Sequence, residues 1–166
     1  WGQVHRMSIK EKVHYNMVHS HYWLSGQIGY NLSLSWKVPN LITFHTLARL
    51  KDEALQNRNE PPLRALVESE LMSKANGIVA FSQHEKNAMV SLYGAAEDKI
   101  RIAPSGVDLS LFNPLEHSAL PLIKPKEPII LFVGRIEPLK GVDLLIRAIA
   151  IIKRSNPVKA FIIGGD

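Results

Sequence analysis

The sequence predicts an α/β chain built on parallel strands and divided into two parts. Short apolar or β-branched runs recur with helical patterns between them: Leu41-Ile42-Thr43-Phe44, Ile78-Val79-Ala80-Phe81, Ile100-Arg101-Ile102-Ala103 and Ile129-Ile130-Leu131-Phe132-Val133. The first strands run straight into hydrogen-bonding side chains, His21-Tyr22 and His45-Thr46, so one sheet edge gathers chemistry. Residues 113–128 hold Pro114, Pro121, Pro125 and Pro128 with Lys124 and Lys126, the composition of a linker.

Composition narrows the class. At 46% hydrophobic and 21% charged residues the chain is globular, and its 166 residues suffice for a real core. No apolar run approaches the roughly 20 residues of a membrane span. The absence of cysteine excludes disulfides and thiolate metal sites, with a cytoplasmic protein as the simple reading. A formal charge of +5 suits phosphorylated ligands, acidic membrane headgroups or nucleic acid. No basic stripe with interleaved aromatics is present, which makes nucleic acid the least favoured partner. The chain opens on Trp1 and closes on Gly164-Gly165-Asp166 directly after Ala160-Phe161-Ile162-Ile163, and it reads as an internal piece of a longer protein.

Taken in order, residues 1–16 are weakly helical and 17–22 form a strand running into a loop. In 26–36, Ile28, Leu32 and Trp36 recur at helical spacing before Pro39 ends the pattern. Strand 41–44 follows, and 47–59 reads as a mobile loop or short helix. Pro62 suits the first turn of a helix over 63–75, whose apolar face is Leu63, Leu66, Val67 and Leu71. Arg64 and Glu68, four apart, lie off that face and read on their own as a surface pair. Ser82 and Glu85 form a capping box for a helix that runs to Tyr93 and stops at Gly94. Pro104 to Asp108 turns sharply after strand 100–103. Beyond the prolines, strand 129–133, helix 141–153 and strand 159–163 begin a second unit. That helix is apolar almost all round, so it is expected to be largely buried. Two strands and one helix cannot bury their own faces, so the remainder of this unit is expected downstream.

The loop between strand 129–133 and the following helix carries the clearest chemistry. Gly134-Arg135-Ile136-Glu137-Pro138-Leu139-Lys140-Gly141 places two cations between bracketing glycines at the carboxyl end of a strand and the amino end of a helix. The helix end offers N–H groups and a positive dipole, and Arg135 and Lys140 add full charges, so a phosphate or diphosphate site is predicted there.

This octamer resembles the G-R-x-x-x-x-K-G signature of retaining glycosyltransferases of family 4. Two more blocks are similar to the same family and in its order: His19-Ser20-His21-Tyr22-Trp23-Leu24-Ser25-Gly26 and Phe44-His45-Thr46-Leu47-Ala48-Arg49-Leu50-Lys51. They look most like the branch of the inositol-phosphate N-acetylglucosaminyltransferases and sucrose-phosphate synthases, and the likeness runs from about residue 18 to 166. It implies an α/β fold of two Rossmann-like domains, the B-type architecture, only partly covered here. Residues 1–112 would be part of the N-terminal acceptor domain, 113–128 the linker, and 129–166 the start of the C-terminal nucleotide-sugar donor domain. The resemblance implies sugar transfer from a nucleotide diphosphate sugar to a hydroxyl acceptor with retention of anomeric configuration. Gly134, Arg135, Lys140 and Gly141 would bind the donor diphosphate, with Arg135 and Lys140 catalytic through its charge. His45, also catalytic, would face the transferred sugar. Tyr22, Thr46 and Arg64 would hold an acceptor phosphate, with Lys51 a further ligand. The acceptor would be a sugar phosphate, an inositol phosphate or a lipid. No metal or other cofactor is expected.

Two elements of the family pattern are absent, a glycine-rich donor loop and a pair of glutamates seven apart, and both would fall outside this stretch. The stretch alone is therefore expected to be inactive. Two other functions fit the same residues: a nucleotide-sugar epimerase of the same architecture, and a non-catalytic module that binds sugar phosphates or a membrane surface. Peripheral contact with the inner membrane face stays open on the +5 charge. His5, His14, His19, His84 and His117 show no metal spacing and receive no role.

Overall fold

The computed structural model describes residues 2–55, 60–113 and 128–165. Most of the stretch expected as a linker lies outside them. The chain divides into two compact units, Trp1–Gly106 and Val107–Asp166.

The first unit is a four-stranded parallel sheet in the order β1 (Val18–His21), β2 (Asn40–Thr43), β3 (Gly77–Ala80), β4 (Ile100–Ile102). Helix α1 (Gly2–Glu11) precedes it. Helix α2 (Trp23–Trp36) connects β1 to β2, α3 (Ala48–Leu55) and α4 (Pro62–Lys74) connect β2 to β3, and α5 (Gln83–Tyr93) connects β3 to β4. Parallel neighbours require such crossovers, and a helix in each is what packs the sheet. The residues of 48–55, expected as a loop or short helix, are helical.

Strand register decides which face is buried. Ser20, Ile42, Ile78 and Ile100 stand side by side across the strands, and all four are buried. Together with Phe44, Leu47, Val67, Leu71, Met72, Ala80 and Met89 the aliphatic members form the core. On the other face, His19, Leu41 and Val79 are exposed or half-buried.

Helix α2 begins at Trp23, three residues before the apolar pattern suggests, and turns a different face inward. It buries Gly26, Gly29, Leu32 and Ser33, while Ile28 is left 45% exposed. The cause is distance. A Cβ on Gly29 would lie 1.8 Å from Ser20 Oγ and 3.2 Å from Val18 Cγ1, and one on Gly26 would lie 2.6 Å from Ile42 Cδ1 and 2.7 Å from Leu71 Cδ1. Absent side chains let α2 lie directly on β1 and β2.

Helix α4 shows a larger departure. Its buried residues are Arg64, Val67, Glu68, Leu71 and Met72, whereas Leu63 and Leu66 are 62% and 65% exposed. The surface pair expected from sequence is thus a buried pair, and two of the four leucine and valine positions expected inside face out. Helix α5 follows the sequence closely. Ser82 Oγ accepts from the Glu85 N–H at 3.1 Å, and Gly94 closes the helix at φ 69°. The Glu85 carboxylate reaches back to the Phe81 N–H at 2.6 Å, one residue before the cap itself.

The second unit pairs β5 (Ile129–Val133) with β6 (Lys159–Ile163) in parallel through α6 (Val142–Ile152). Helix α6 is not largely buried: Leu144, Ile146 and Ile151 are more than half exposed, and Ile149 is its buried residue. All of β6 is exposed. One helix covers only part of a two-stranded sheet, so the apolar ring that the sequence shows on α6 finds contact on one side alone. No helix among the described residues is long and apolar enough to cross a membrane.

Replacing Gly29 with Leu in the full-length protein is expected to lower stability by about 1–3 kcal/mol through overpacking against β1, despite the roughly 1 kcal/mol gained by removing a glycine from a helix interior. Urea denaturation checks this, and an unchanged midpoint would contradict the close contact.

Candidate functional site

The carboxyl ends of β1 and β2 and the first turn of α4 bring one constellation together. Arg64 is its centre. The side chain is 2% exposed, and its guanidinium is engaged on every edge. Nε donates to Glu68 Oε1 at 2.7 Å, Nη1 to Glu60 Oε2 at 2.7 Å, and Nη2 to both the carbonyl and the hydroxyl of Thr46 at 2.8 Å. The Tyr22 ring lies against its face, 4.9 Å from Cζ to ring centre. Lys51 pairs with the other oxygen of Glu60. Tyr22, Thr46, Arg64 and Lys51, scattered over more than forty positions of sequence, therefore converge.

Glu68 underpins the group from below. It is fully buried, and its second oxygen accepts from the Tyr93 hydroxyl at 2.5 Å and the Ala48 N–H at 3.0 Å. Burial, then the hydrogen bond to Glu68, pushes the Tyr93 hydroxyl well above its usual range, so it stays protonated and donates. The same oxygen accepts the Arg49 N–H at 2.9 Å. Burial opposes the ionised form of Glu60, but the hydrogen bonds and charges of Lys51 and Arg64 outweigh it and hold that carboxyl below the usual range.

Two backbone positions at this edge are strained. Tyr22 has φ 73° and His45 φ 64°, in the left-handed region that side chains with a Cβ avoid. Each is the turn out of a strand, and such conformations cost about 1–3 kcal/mol unless the surroundings enforce them. The Tyr22 N–H bonds to the Thr43 carbonyl at 2.8 Å, which is one such restraint.

His45 belongs to a histidine row. Its Nε2 lies 2.8 Å from His21 Nδ1, its ring packs 5.1 Å from those of His21 and Phe81, and His21 packs 4.4 Å from His19. His19 Nε2 in turn meets Thr43 Oγ1 at 2.9 Å. One nitrogen of the His21–His45 contact must donate and the other accept, so each ring fixes the tautomer of its neighbour. Burial first, then the charges of His21 and His45, hold His19 below the ordinary histidine value. Among the described residues no group of His, Asp and Glu is placed to hold a metal ion.

In the second unit Gly134, Arg135, Lys140 and Gly141 lie on the connection from β5 to α6. Pro138–Lys140 forms a short 3₁₀ turn, and Gly141, at φ 64°, is the residue before the helix begins at Val142. Only glycine adopts that conformation without strain. Arg135 is 73% exposed and pairs with Glu137 at 3.1 Å, a weak contact at that exposure.

The sequence profile of Glycosyltransferase Family 4 matches residues 3–111, and that of Glycosyl transferases group 1 matches residues 116–166. The chain belongs to glycosyltransferase family 4. Among curated relatives, the D-inositol 3-phosphate glycosyltransferase of Nocardia farcinica is 42% identical over 160 residues, covering 92% of this chain and 36% of that protein. The corresponding enzyme of Kineococcus radiotolerans is 37% identical over 175 residues, covering 99% and 40%. Among solved structures, a sucrose-phosphate synthase from Thermosynechococcus elongatus superposes with a TM-score of 0.82 at 29% identity, over 96% of this chain and 40% of that one. Anabaena HepE, solved with UDP and glucose, shares the fold at a TM-score of 0.74 and 18% identity, over 94% and 41%. The chain spans 36% to 40% of the length of the two curated family members.

Sequence reasoning assigned no site role to Glu60 or Tyr93, read Glu68 as half of a surface pair and left His19 without a role. A signal existed for His19, since it and His21 alternate on one face of a strand. Nothing local marked Tyr93, which reaches Glu68 from a helix twenty-five positions away.

Glu68→Ala is expected to destabilise the full-length protein by about 3–5 kcal/mol, because it removes one partner of a buried ion pair and leaves Arg64 Nε, the Tyr93 hydroxyl and the Ala48 N–H without their acceptor. Tyr93→Phe should cost about 1–3 kcal/mol by leaving one Glu68 bond unmade. Chemical denaturation measures both. A histidine with a lowered native pKa contributes stability above the ordinary value of 6.5, and loses it as pH falls through the native value. His19→Gln, which keeps a donor near Thr43 but does not titrate, should therefore lose less thermal stability than wild type between pH 7 and about pH 5.

Proposed function

We propose that the full-length protein transfers a sugar from a nucleotide diphosphate sugar to a hydroxyl of a phosphorylated acceptor, with retention at the anomeric carbon. The observation that carries the acceptor half is the convergence of Lys51, Arg64, Thr46 and the Tyr22 hydroxyphenyl at the carboxyl ends of β1 and β2. Two cations and two hydroxyls on neighbouring elements suit a phosphate. The names of the curated relatives support an inositol phosphate or a related sugar phosphate as that acceptor.

For the donor, the Gly134–Gly141 loop with Arg135 and Lys140 at the start of α6 suits a diphosphate. In this reading the bond from the anomeric carbon to the diphosphate oxygen breaks, the bond to the acceptor oxygen forms on the same face, and the acceptor proton passes to the departing diphosphate. Arg135 and Lys140 neutralise the charge that develops there, so they assist the transition state more than the bound donor. His45, its tautomer set by His21, would orient a hydroxyl of the transferred sugar. No metal enters the proposed route. The chain by itself is proposed to be inactive, since its donor unit leaves β6 and much of α6 uncovered.

The test uses the full-length protein with UDP-, GDP- and ADP-sugars against inositol phosphate and fructose 6-phosphate, with NMR of the new anomeric centre. Retained glycoside on a phosphorylated acceptor, formed equally in EDTA, is the expected product. Arg135→Ala should lower kcat by a factor of about 100 or more. Donor isomerisation without acceptor product would instead indicate an epimerase, and binding without turnover a non-catalytic module.

A further inference from the structure

The proposed phosphate seat already contains an anion. Glu60 Oε1 pairs with Lys51 and Glu60 Oε2 accepts from Arg64 Nη1 at 2.7 Å, so one carboxylate bridges the two cations assigned to the acceptor. Lys51 and Arg64 supply two positive charges, Glu60 and Glu68 two negative ones, and Asp52, which accepts the Glu60 N–H at 3.2 Å, is a third carboxylate beside them, so the group as it stands carries no net positive charge. A phosphate dianion entering with Glu60 in place would meet no net attraction at the site and a carboxylate at contact.

The two carboxylates are not equivalent. Glu68 is fully buried and held by Arg64 Nε, the Tyr93 hydroxyl and the Ala48 N–H. Glu60 is 14% exposed at its side chain, and both its carboxylate bonds run to the cations themselves. It stands before Pro61 and Pro62, outside the first turn of α4, where a rotation about its own side-chain bonds moves the carboxylate without disturbing the helix. Lys51, 31% exposed, is equally able to follow a ligand. Arg64 is fixed from the other edges by Glu68 and Thr46, so the seat persists when Glu60 leaves it.

We propose that Glu60 is a resident counter-ion that fills the phosphate seat between Lys51 and Arg64 and swings out when a phosphorylated acceptor binds, thereby setting the phosphate affinity of the site. This rests on the acceptor reading above. Displacement frees Lys51 and the Nη1 edge of Arg64 for the phosphate and removes one negative charge from beside them. In the empty site the same carboxylate keeps Lys51 and the Nη1 edge of Arg64 satisfied and discourages weaker anions, so Glu60 is a specificity-determining residue.

The experiment is calorimetric titration of the full-length protein with inorganic phosphate, together with acceptor KM values for inositol phosphate and for unphosphorylated inositol. Glu60→Gln is expected to tighten inorganic phosphate and lower the KM for inositol phosphate by about three- to tenfold, the range for losing one competing ion pair. The KM for unphosphorylated inositol should not fall, which separates the effect from a general change of shape. Glu60→Ala, which removes the side-chain amide as well, should tighten phosphate in the same direction, and Lys51→Ala should weaken it. Phosphate bound by wild type, weakened by Lys51→Ala, and bound equally or less well by both Glu60 variants overturns the role of Glu60 while leaving the acceptor seat standing. No phosphate binding by wild type or either Glu60 variant overturns both.

Discussion

A guanidinium and a carboxylate removed from water must satisfy one another and every remaining donor and acceptor, and the first unit is arranged around one such pair, Arg64 and Glu68. Glu68 ties α4 to the start of α3 through Ala48 and to the end of α5 through Tyr93. Arg64 ties the same helix to the loop after β2 through Thr46 and to Tyr22 after β1. Three crossover helices and the turns after β1 and β2 meet at one pair of charges. Burial of this kind adds little net stability against a well-packed apolar alternative, but it leaves few permitted arrangements, because any shift strands a charge. Arg64, Thr46 and Tyr22, three of the groups proposed to hold the acceptor, are thereby held in place before a ligand arrives.

The sheet edge depends on a second constraint, the close approach of α2. Gly26 and Gly29 let the helix lie on Ile42 and Ser20, which draws the turn at Tyr22 up against the end of β2. The same edge carries non-glycine residues at positive φ, Tyr22 and His45, and the histidine row from His19 to His45 runs along it. Strain concentrated where two strands deliver polar side chains is a mark of a site enforced by its surroundings.

The second unit is built differently. Its functional loop is local in sequence, and glycine at 141 with φ 64° sets its exit into α6. Among its described residues little apolar surface is covered, with Ile149 and Val158 as the buried hydrophobic ones. Arg135 and Lys140 are therefore placed by loop geometry, whereas Arg64 is placed by burial.

Much of this was legible in the sequence. The alternation of strand and helix, the parallel class, the cap at Ser82, the stop at Gly94 and the cation loop 134–141 all follow from periodicity and from residues with fixed backbone preferences. Local chemistry determines them, and no distant partner is needed. Hydropathy alone turned α4 the wrong way, since it counts Leu63 and Leu66 as inward and a charged pair as outward. It also chose Ile28 over glycine on α2. Only tertiary structure decided those faces, because a charge is buried when donors from elsewhere complete it, and a glycine is buried when another element comes too near for a side chain. Neither condition is written in the segment where its consequence appears.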